Sequence, residues 1–238
     1  MIHIPSFRDL LIMSDGTTAY LSAVDSCGGI GSLPHDALAV PPETVGLFTA
    51  RTALLEVLCA GGEPVSASVA AANGPDIAQR LLEGIREALG TTLPFIISTE
   101  KNMPTSMTAL GVTVTGTCPV SRLRLGGGHK GDLLYCAGVP LVGAETLEEG
   151  VELPSNLQIQ KLLQLPGIRT ALPVGSQGIA AEAQILARES GLKVQLLEPP
   201  LLDLLKSAGP SSCILFTADP HMGKPEVGLE VFVLGVLA

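Results

Sequence analysis

Apolar and polar positions along this chain alternate between a two-residue and a helical period. Leu10–Met13 and Thr18–Asp25 flank Ser14-Asp15-Gly16-Thr17, which predicts a hairpin. After Pro34, Pro41 and Pro42, the stretch Glu43–Ala60 predicts a helix closed by Gly61-Gly62. Val65–Ala72 reads as a strand, and Pro75–Leu89 as a helix with Pro in its first turn and Gly90 at its end. Phe95–Thr99 and Ala109–Thr117 read as two further strands. This order predicts an α+β layer with helices packed on a sheet. The pattern breaks at Gly126–Asp132, which places a boundary there and divides the chain into residues 1–128 and 129–238. Beyond it, Leu133–Ala137, Cys213–Thr217 and Leu229–Leu237 read as strands and Ser155–Leu165 and Gln177–Ser190 as helices, a compact α/β unit.

Composition narrows the functional classes. With 46% hydrophobic and 16% charged residues, 238 residues suffice for a packed core and are too apolar for disorder. Aromatics are 3% of the chain and Trp is absent, which argues against stacking platforms for single-stranded nucleic acid. A net charge of −9 argues against a polyanionic partner. The five cysteines (Cys27, Cys59, Cys118, Cys136, Cys213) form no CxxC pair, so a reducing cytoplasm is expected, with neither disulfide framework nor zinc knuckle. The N-terminus lacks the basic and apolar regions of a signal peptide, and no apolar run approaches the ~18 residues of a membrane span.

The candidate chemistry starts at Asp25, which ends an alternating strand and tips into Ser26-Cys27-Gly28-Gly29-Ile30-Gly31. Glycines let a backbone approach a ligand closely, so Gly28, Gly29 and Gly31 beside a carboxylate suit a cation held against phosphates. On the predicted helix, Thr49, Thr52 and Glu56 share one face, which either faces solvent or turns Glu56 toward Asp25. Glu100 opens a loop, Lys101-Asn102-Met103-Pro104-Thr105, that is either an ordinary connection or a set of phosphate donors. Two carboxylates ~5 Å apart repel by ~3 kcal/mol at an effective dielectric of 20, so three converging acids require a cation. Hard oxygen ligands beside phosphate point to magnesium. Gly28–Leu33, Gly126–Gly131 and Gly175–Gly178 complete neither a P-loop nor a dinucleotide fingerprint, so any nucleotide site is of another type. Cys27 reads as a nucleophile or as an inert thiol, and His129-Lys130 as phosphate contacts or a solvated turn. Lys206-Ser207-Ala208-Gly209-Pro210 is a ligand-facing turn or a strand lead-in.

These residues together resemble the aminoimidazole ribonucleotide synthetase superfamily, which includes thiamine-monophosphate kinase and selenophosphate synthetase. The likeness runs through Val45–Arg51, Leu55–Pro64, Ser98–Thr105 and Leu110–Gly116 to Lys130-Gly131-Asp132-Leu133. Within the superfamily, Asp25–Gly31, Ser98–Thr105, Pro173–Ala183 and Lys206–Pro210 are most similar to alpha-ribazole kinases. The resemblance implies a two-domain α+β fold. Its N-terminal mixed sheet forms a barrel on dimerisation, and an α/β domain follows. It also implies ATP near the dimer interface, with magnesium held by Asp25, Glu56 and Glu100. Gly28, Gly29, Gly31, Thr99, Lys101, Asn102 and Thr105 would bind the nucleotide, and Gly175, Ser176, Gly178, Lys206 and Ser207 the acceptor. Two departures stand out: the Gly-Asp-Asp-Ala motif of the thiamine-phosphate kinases is replaced by Arg8-Asp9, and their Ser-Asp-Gly turn by Gly175-Ser176-Gln177-Gly178. Both disfavour thiamine monophosphate as substrate.

The resulting expectation is an ATP- and magnesium-dependent kinase acting on the 5′-hydroxyl of alpha-ribazole in cobalamin salvage, as a cytoplasmic homodimer with no nucleic-acid or membrane partner. The alternatives are another vitamin or nucleoside kinase or synthetase of the superfamily, and a nucleotide-binding regulator without catalysis.

Overall fold

A computed structural model describes residues 1–238. Two units carry separate cores: residues 1–5, 9–57 and 62–121 form the first, and residues 6–8, 58–61 and 122–238 the second.

The first unit is built on six strands: β1 (Ile2–Ile4), β2 (Leu10–Ser14), β3 (Thr18–Gly28), β6 (Glu63–Ala71), β7 (Phe95–Thr99) and β8 (Ala109–Pro119). A small parallel pair, β4 (Ile30–Gly31) and β5 (Leu38–Ala39), follows β3. The large sheet has the order β1-β2-β3-β8-β6-β7, antiparallel except between β6 and β7. It is therefore a mixed sheet, as expected, and β3, β6 and β7 all end at the same edge. The hairpin and the strands before and after α2 stand where the periodicity placed them. β1 was not predicted, and β3 runs three residues past Asp25 because Ser26, Cys27 and Gly28 pair with Gly111, Leu110 and Ala109.

Two helices cover one face of this sheet, α1 (Pro42–Cys59) and α2 (Pro75–Leu89). On α2, Ala78, Leu81, Leu82, Ile85 and Ala88 are buried while Arg80, Glu83 and Glu87 face water, an ordinary amphipathic surface helix. α1 is mostly buried: of the polar face read for Thr49, Thr52 and Glu56, Thr49 is buried and Thr52 and Glu56 are only partly exposed. Thr49 Oγ1 instead donates to the Val45 carbonyl at 2.8 Å, and Thr52 Oγ1 to that of Phe48 at 3.0 Å, the usual way a helical threonine satisfies its hydroxyl. The helices cross backbone to backbone. A Cβ on Gly84 would stand 1.8 Å from the Glu43 carbonyl oxygen, and one on Gly46 2.0 Å from that of Leu81.

The second unit holds five strands, β9 (Leu133–Gly138), β10 (Ile168–Pro173), β11 (Val194–Leu196), β12 (Cys213–Ala218) and β13 (Val231–Leu237), with α3 (Asn156–Leu163) and α4 (Gly178–Glu189). Their order is β10-β12-β9-β13-β11, and every pairing is antiparallel. The expected α/β unit is therefore an α+β layer without parallel crossovers, because β10 and β11, missed in the sequence, occupy its two edges. Leu134, Leu172, Ile179, Leu186 and Leu215 fill the core between sheet and α4, and Tyr135 stacks on its register partner Phe216 with centroids 5.0 Å apart. Arg8 is fully buried in this unit and grips both Glu189 carboxylate oxygens, with Nη2 to Oε2 at 2.8 Å. Its guanidinium also donates to the carbonyls of Ala171 and Arg124, which satisfies a charge pair otherwise costly to bury. No helix is long and apolar enough to cross a membrane.

Candidate functional site

The side-chain alternation of β3 turns its odd-numbered residues toward the helices: Leu21 and Ala23 are buried, and Asp25 continues the same face half-buried. Its cross-strand partner is Val112, itself paired on the other side with Val69. Burial among these apolar neighbours pushes the Asp25 carboxyl up to about 6 from an ordinary 3.8; a backbone hydrogen bond from Ser26 opposes the shift and the charge of Asp9 adds to it. Burial, then the carboxylates of Asp25 and Asp36, also raises the Cys27 thiol, which disfavours the thiolate that a nucleophile needs.

The glycine loop is clasped from below by a residue that the sequence reading missed. Asp36 accepts hydrogen bonds from the Leu33 and Thr108 backbone N–H groups at 2.8 and 2.7 Å and from Thr108 Oγ1 at 2.7 Å. Gly31 exists for this clasp, since a Cβ there would stand 2.1 Å from Thr108 Oγ1. Gly29 lies under the Met107 sulfur and donates its N–H to the Thr108 carbonyl. Of the three glycines expected at a nucleotide, only Gly28 has open space above its Cα.

Asn73, fully buried at the end of β6, fastens the facing loop. Its Nδ2 donates to Thr105 Oγ1 at 2.9 Å and to the Met107 carbonyl at 3.0 Å, and its Oδ1 accepts from Ala109 N at 2.9 Å. Glu100 closes the same loop on itself: Oε1 accepts from the N–H groups of Asn102 (2.6 Å) and Met103 (3.0 Å), which holds its carboxyl below the usual range. Lys101, Asn102 and Thr105 are exposed and Thr99 is half-exposed, so this loop presents donors at the sheet edge where β3, β6 and β7 end.

The three acids do not converge. Asp25 lies on β3 and Glu100 directly follows β7, strands three places apart in the sheet, about 14 Å at the usual spacing. Val57, next to Glu56, packs where side chains would be on Gly116 and Gly62. Gly116 lies four residues along β8 from Val112, roughly 13 Å, and away from the end that carries Glu100. Accordingly, no group of three His, Cys, Asp or Glu side chains is close enough to hold a metal ion. Helical periodicity reports the face of Glu56 but not its level along the sheet.

In the second unit the expected acceptor residues are brought together. The turn Gly175-Ser176-Gln177 leads into α4, and Gly175 O accepts from Ala208 N at 3.1 Å. A Cβ on Gly178, whose φ is +80°, would meet the backbone of Leu205 and Lys206 at 2.9 Å. Lys206 Nζ pairs with Glu145 at 2.9 Å, and Ser207 Oγ accepts from Gly209 N. The glycines Gly126 and Gly128 pack on the end of α4, against Glu189 and Ser190, and are structural.

No family model matches this chain, and no curated protein matches it. Solved structures do. The thiamine monophosphate kinase of Aquifex aeolicus is 18% identical, with 96% of this chain and 88% of that one superposed at a TM-score of 0.70. AaThiL complexed with AMPPCP and TMP is 18% identical over 96% and 84% of the two chains, at 0.65. A chain of the HypE–HypF complex is 15% identical over 98% and 87%, at 0.67. At these identities the likeness concerns architecture, and this chain has the fold shared by these thiamine-monophosphate-kinase and HypE–HypF structures.

Proposed function

We propose that this protein is an ATP- and magnesium-dependent kinase that phosphorylates the 5′-hydroxyl of alpha-ribazole in cobalamin salvage. The observation that carries the reading is Asp25, a carboxylate half-buried on the helix-covered face three residues before the end of β3 and pushed up to about 6. Such a group is poorly stabilised as an anion until a cation joins it. Magnesium commonly takes one or two carboxylates and completes its shell with phosphate and water, so a lone aspartate fits. When bound, the ion would neutralise charge on the β- and γ-phosphates, the dominant requirement of phosphoryl transfer. Support for ATP comes from the fold, because AaThiL carries AMPPCP, an ATP analogue.

The chain's own residues divide the remaining work. Gly28 lets the backbone approach the nucleotide, while Lys101, Asn102, Thr99 and Thr105 offer a charge and donors from the opposite loop. Glu100 is a positioning residue, because its carboxylate shapes that loop. Gly175, Ser176, Gly178, Lys206 and Ser207 bind the acceptor.

The uncovered face of the first sheet supports a homodimer. Leu11, Tyr20, Val24 and Ile96 are exposed there, Val24 at 62% and Ile96 at 74%. A depression of about 620 Å³ lined by Asp9, Leu11, Ser22, Val24 and Thr113 lies on the same face. A second copy is the occupant proposed, in the cytoplasm.

Incubation with ATP, magnesium and alpha-ribazole, followed by mass spectrometry of the nucleoside, tests the reading. The 5′-monophosphate is expected. ATP binding without any phosphorylated product would remove the assignment.

A further inference from the structure

We propose that Asp36 is a positioning residue of the nucleotide site, because it locks the glycine loop and the donor loop into one unit. The inference rests on reading Gly28 and Lys101–Thr105 as nucleotide contacts.

The two loops leave neighbouring strands. Gly28, the last residue of β3, is the register partner of Ala109, the first of β8, and the chain parts there into residues 29–37 and 100–108. Loops that depart from a strand end are free to splay, and a ligand gripped from both would have to offset the ordering of each. One backbone bond, from Gly29 N to the Thr108 carbonyl at 2.9 Å, carries the ladder a single step further. Beyond it, His35 N donates to the Ser106 carbonyl at 2.9 Å, and His35 Nδ1 meets Ser106 Oγ at 3.0 Å in an exposed position. Asp36 makes the inner link. Its Oδ1 accepts from Thr108 N and its Oδ2 from Thr108 Oγ1, both at 2.7 Å, while Oδ2 also accepts from Leu33 N in its own loop at 2.8 Å. Thr108 is fully buried, and a side chain on Gly31 would collide with both Thr108 and Asp36.

A carboxylate suits this junction, since every partner is a donor. Against a desolvation that raises it, the hydrogen bonds from Thr108 and Leu33 hold the Asp36 carboxyl below the usual range. Both its oxygens are engaged, so its part is to shape the loops. Asn73 holds the same segment from β6, the other neighbour of β8, through Thr105 and Met107. Residues 105–108 are therefore gripped from two sides, and Glu100 closes the turn in front of them. Gly28 and the donors of Lys101–Thr105 are thus spaced before a nucleotide arrives, which spares the binding step that cost.

Calorimetry of the ATP analogue AMPPCP with excess magnesium tests this, on wild type, Asp36→Ala, Asp36→Asn and Asp15→Ala. Asparagine can still accept from Thr108 N and donate to Thr108 Oγ1, so it keeps the bonds between the loops. Asp15 is the matched control: its Oδ1 accepts from Thr17 N (2.9 Å), Thr17 Oγ1 (2.8 Å) and Thr18 N (2.8 Å), in the turn before β3. That turn is ten residues of β3 away from Gly28, ~33 Å. Asp36→Ala should bind at least about tenfold more weakly, the scale of one hydrogen bond to a charged group, and Asp36→Asn within about threefold of wild type. Asp15→Ala should bind as wild type does. Amide exchange in Asp36→Ala should quicken in residues 29–38 and 100–108 together. If Asp36→Ala does not fold, Thr108→Val, which deletes the Oγ1 bond alone, should weaken binding by about threefold or more. Full affinity in the variants that break the link, an equal loss in Asp15→Ala, no rescue by Asp36→Asn, or a wild type that does not bind the analogue would overturn the proposal. The expected order of affinities without phosphate transfer to alpha-ribazole would keep this inference and remove the kinase; transfer with full affinity in Asp36→Ala would do the reverse.

Discussion

Replacing Asp25 with Asn should make the cation-free protein more stable at neutral pH. The folded carboxyl holds its proton up to about pH 6, whereas in the unfolded chain it ionises near 3.8. Because the folded value is the raised one, the unfolded chain sheds its proton first as pH rises. The penalty is absent below about pH 4, grows between 4 and 6, and is constant above. At 1.36 kcal/mol per pKa unit the full difference is about 3 kcal/mol, and the part of Asp25 that remains in contact with water reduces it to about 1–2 kcal/mol. Asn keeps the shape and removes the charge. Urea unfolding in EDTA, followed by far-UV circular dichroism between pH 4.5 and 7.5, measures the difference. The variant should be more stable by about 1–2 kcal/mol at pH 7.5, with the gap closing toward pH 4.5. A variant no more stable than wild type at pH 7.5, or a gap independent of pH, would refute the claim that burial strains this carboxylate.

Two further changes test the scaffold. Asn73→Ala removes three hydrogen bonds at the end of β6 and should cost about 3 kcal/mol, a drop of roughly 6–12 °C in Tm. Amide exchange should quicken across residues 100–108, and unchanged exchange there would contradict the role given to Asn73. Gly84→Ala would normally favour a helix by about 1 kcal/mol. Here its Cβ would lie 1.8 Å from the Glu43 carbonyl, so a net loss of about 2 kcal/mol or more is expected in thermal unfolding, and an equal or higher Tm would count against the close crossing.

The elements legible in the sequence were those with strong local punctuation. α2 stands over Pro75–Leu89 as expected because Pro opens it, Gly90 closes it and one face is apolar. β1 and β11 escaped because three residues show no period, and β10 because Ile168–Pro173 mixes polar and apolar positions without alternation. Asp25 stood out because alternation followed by glycine is a local signal. Glu56 stood out equally, but its place along the sheet is set by how α1 packs on Gly62 and Gly116. Asp36 and Asn73 carried no signal, since Thr108, which Asp36 clasps, lies 72 residues away and the partners of Asn73 lie 32–36 residues away in sequence. The two turns expected to meet an acceptor, Gly175–Gly178 and Lys206–Pro210, were legible as glycine- and serine-bearing segments. The close approach of the Leu205 and Lys206 backbone to Gly178 became visible only in three dimensions.

The magnesium dependence of phosphoryl transfer to alpha-ribazole, compared between wild type and Asp25→Asn, tests the central claim most directly. If Asp25 holds the cation, the variant should need at least tenfold more magnesium for half-maximal rate, or lose turnover altogether, while remaining folded. An unchanged magnesium requirement at an unchanged rate would take Asp25 out of the site and the proposed mechanism with it.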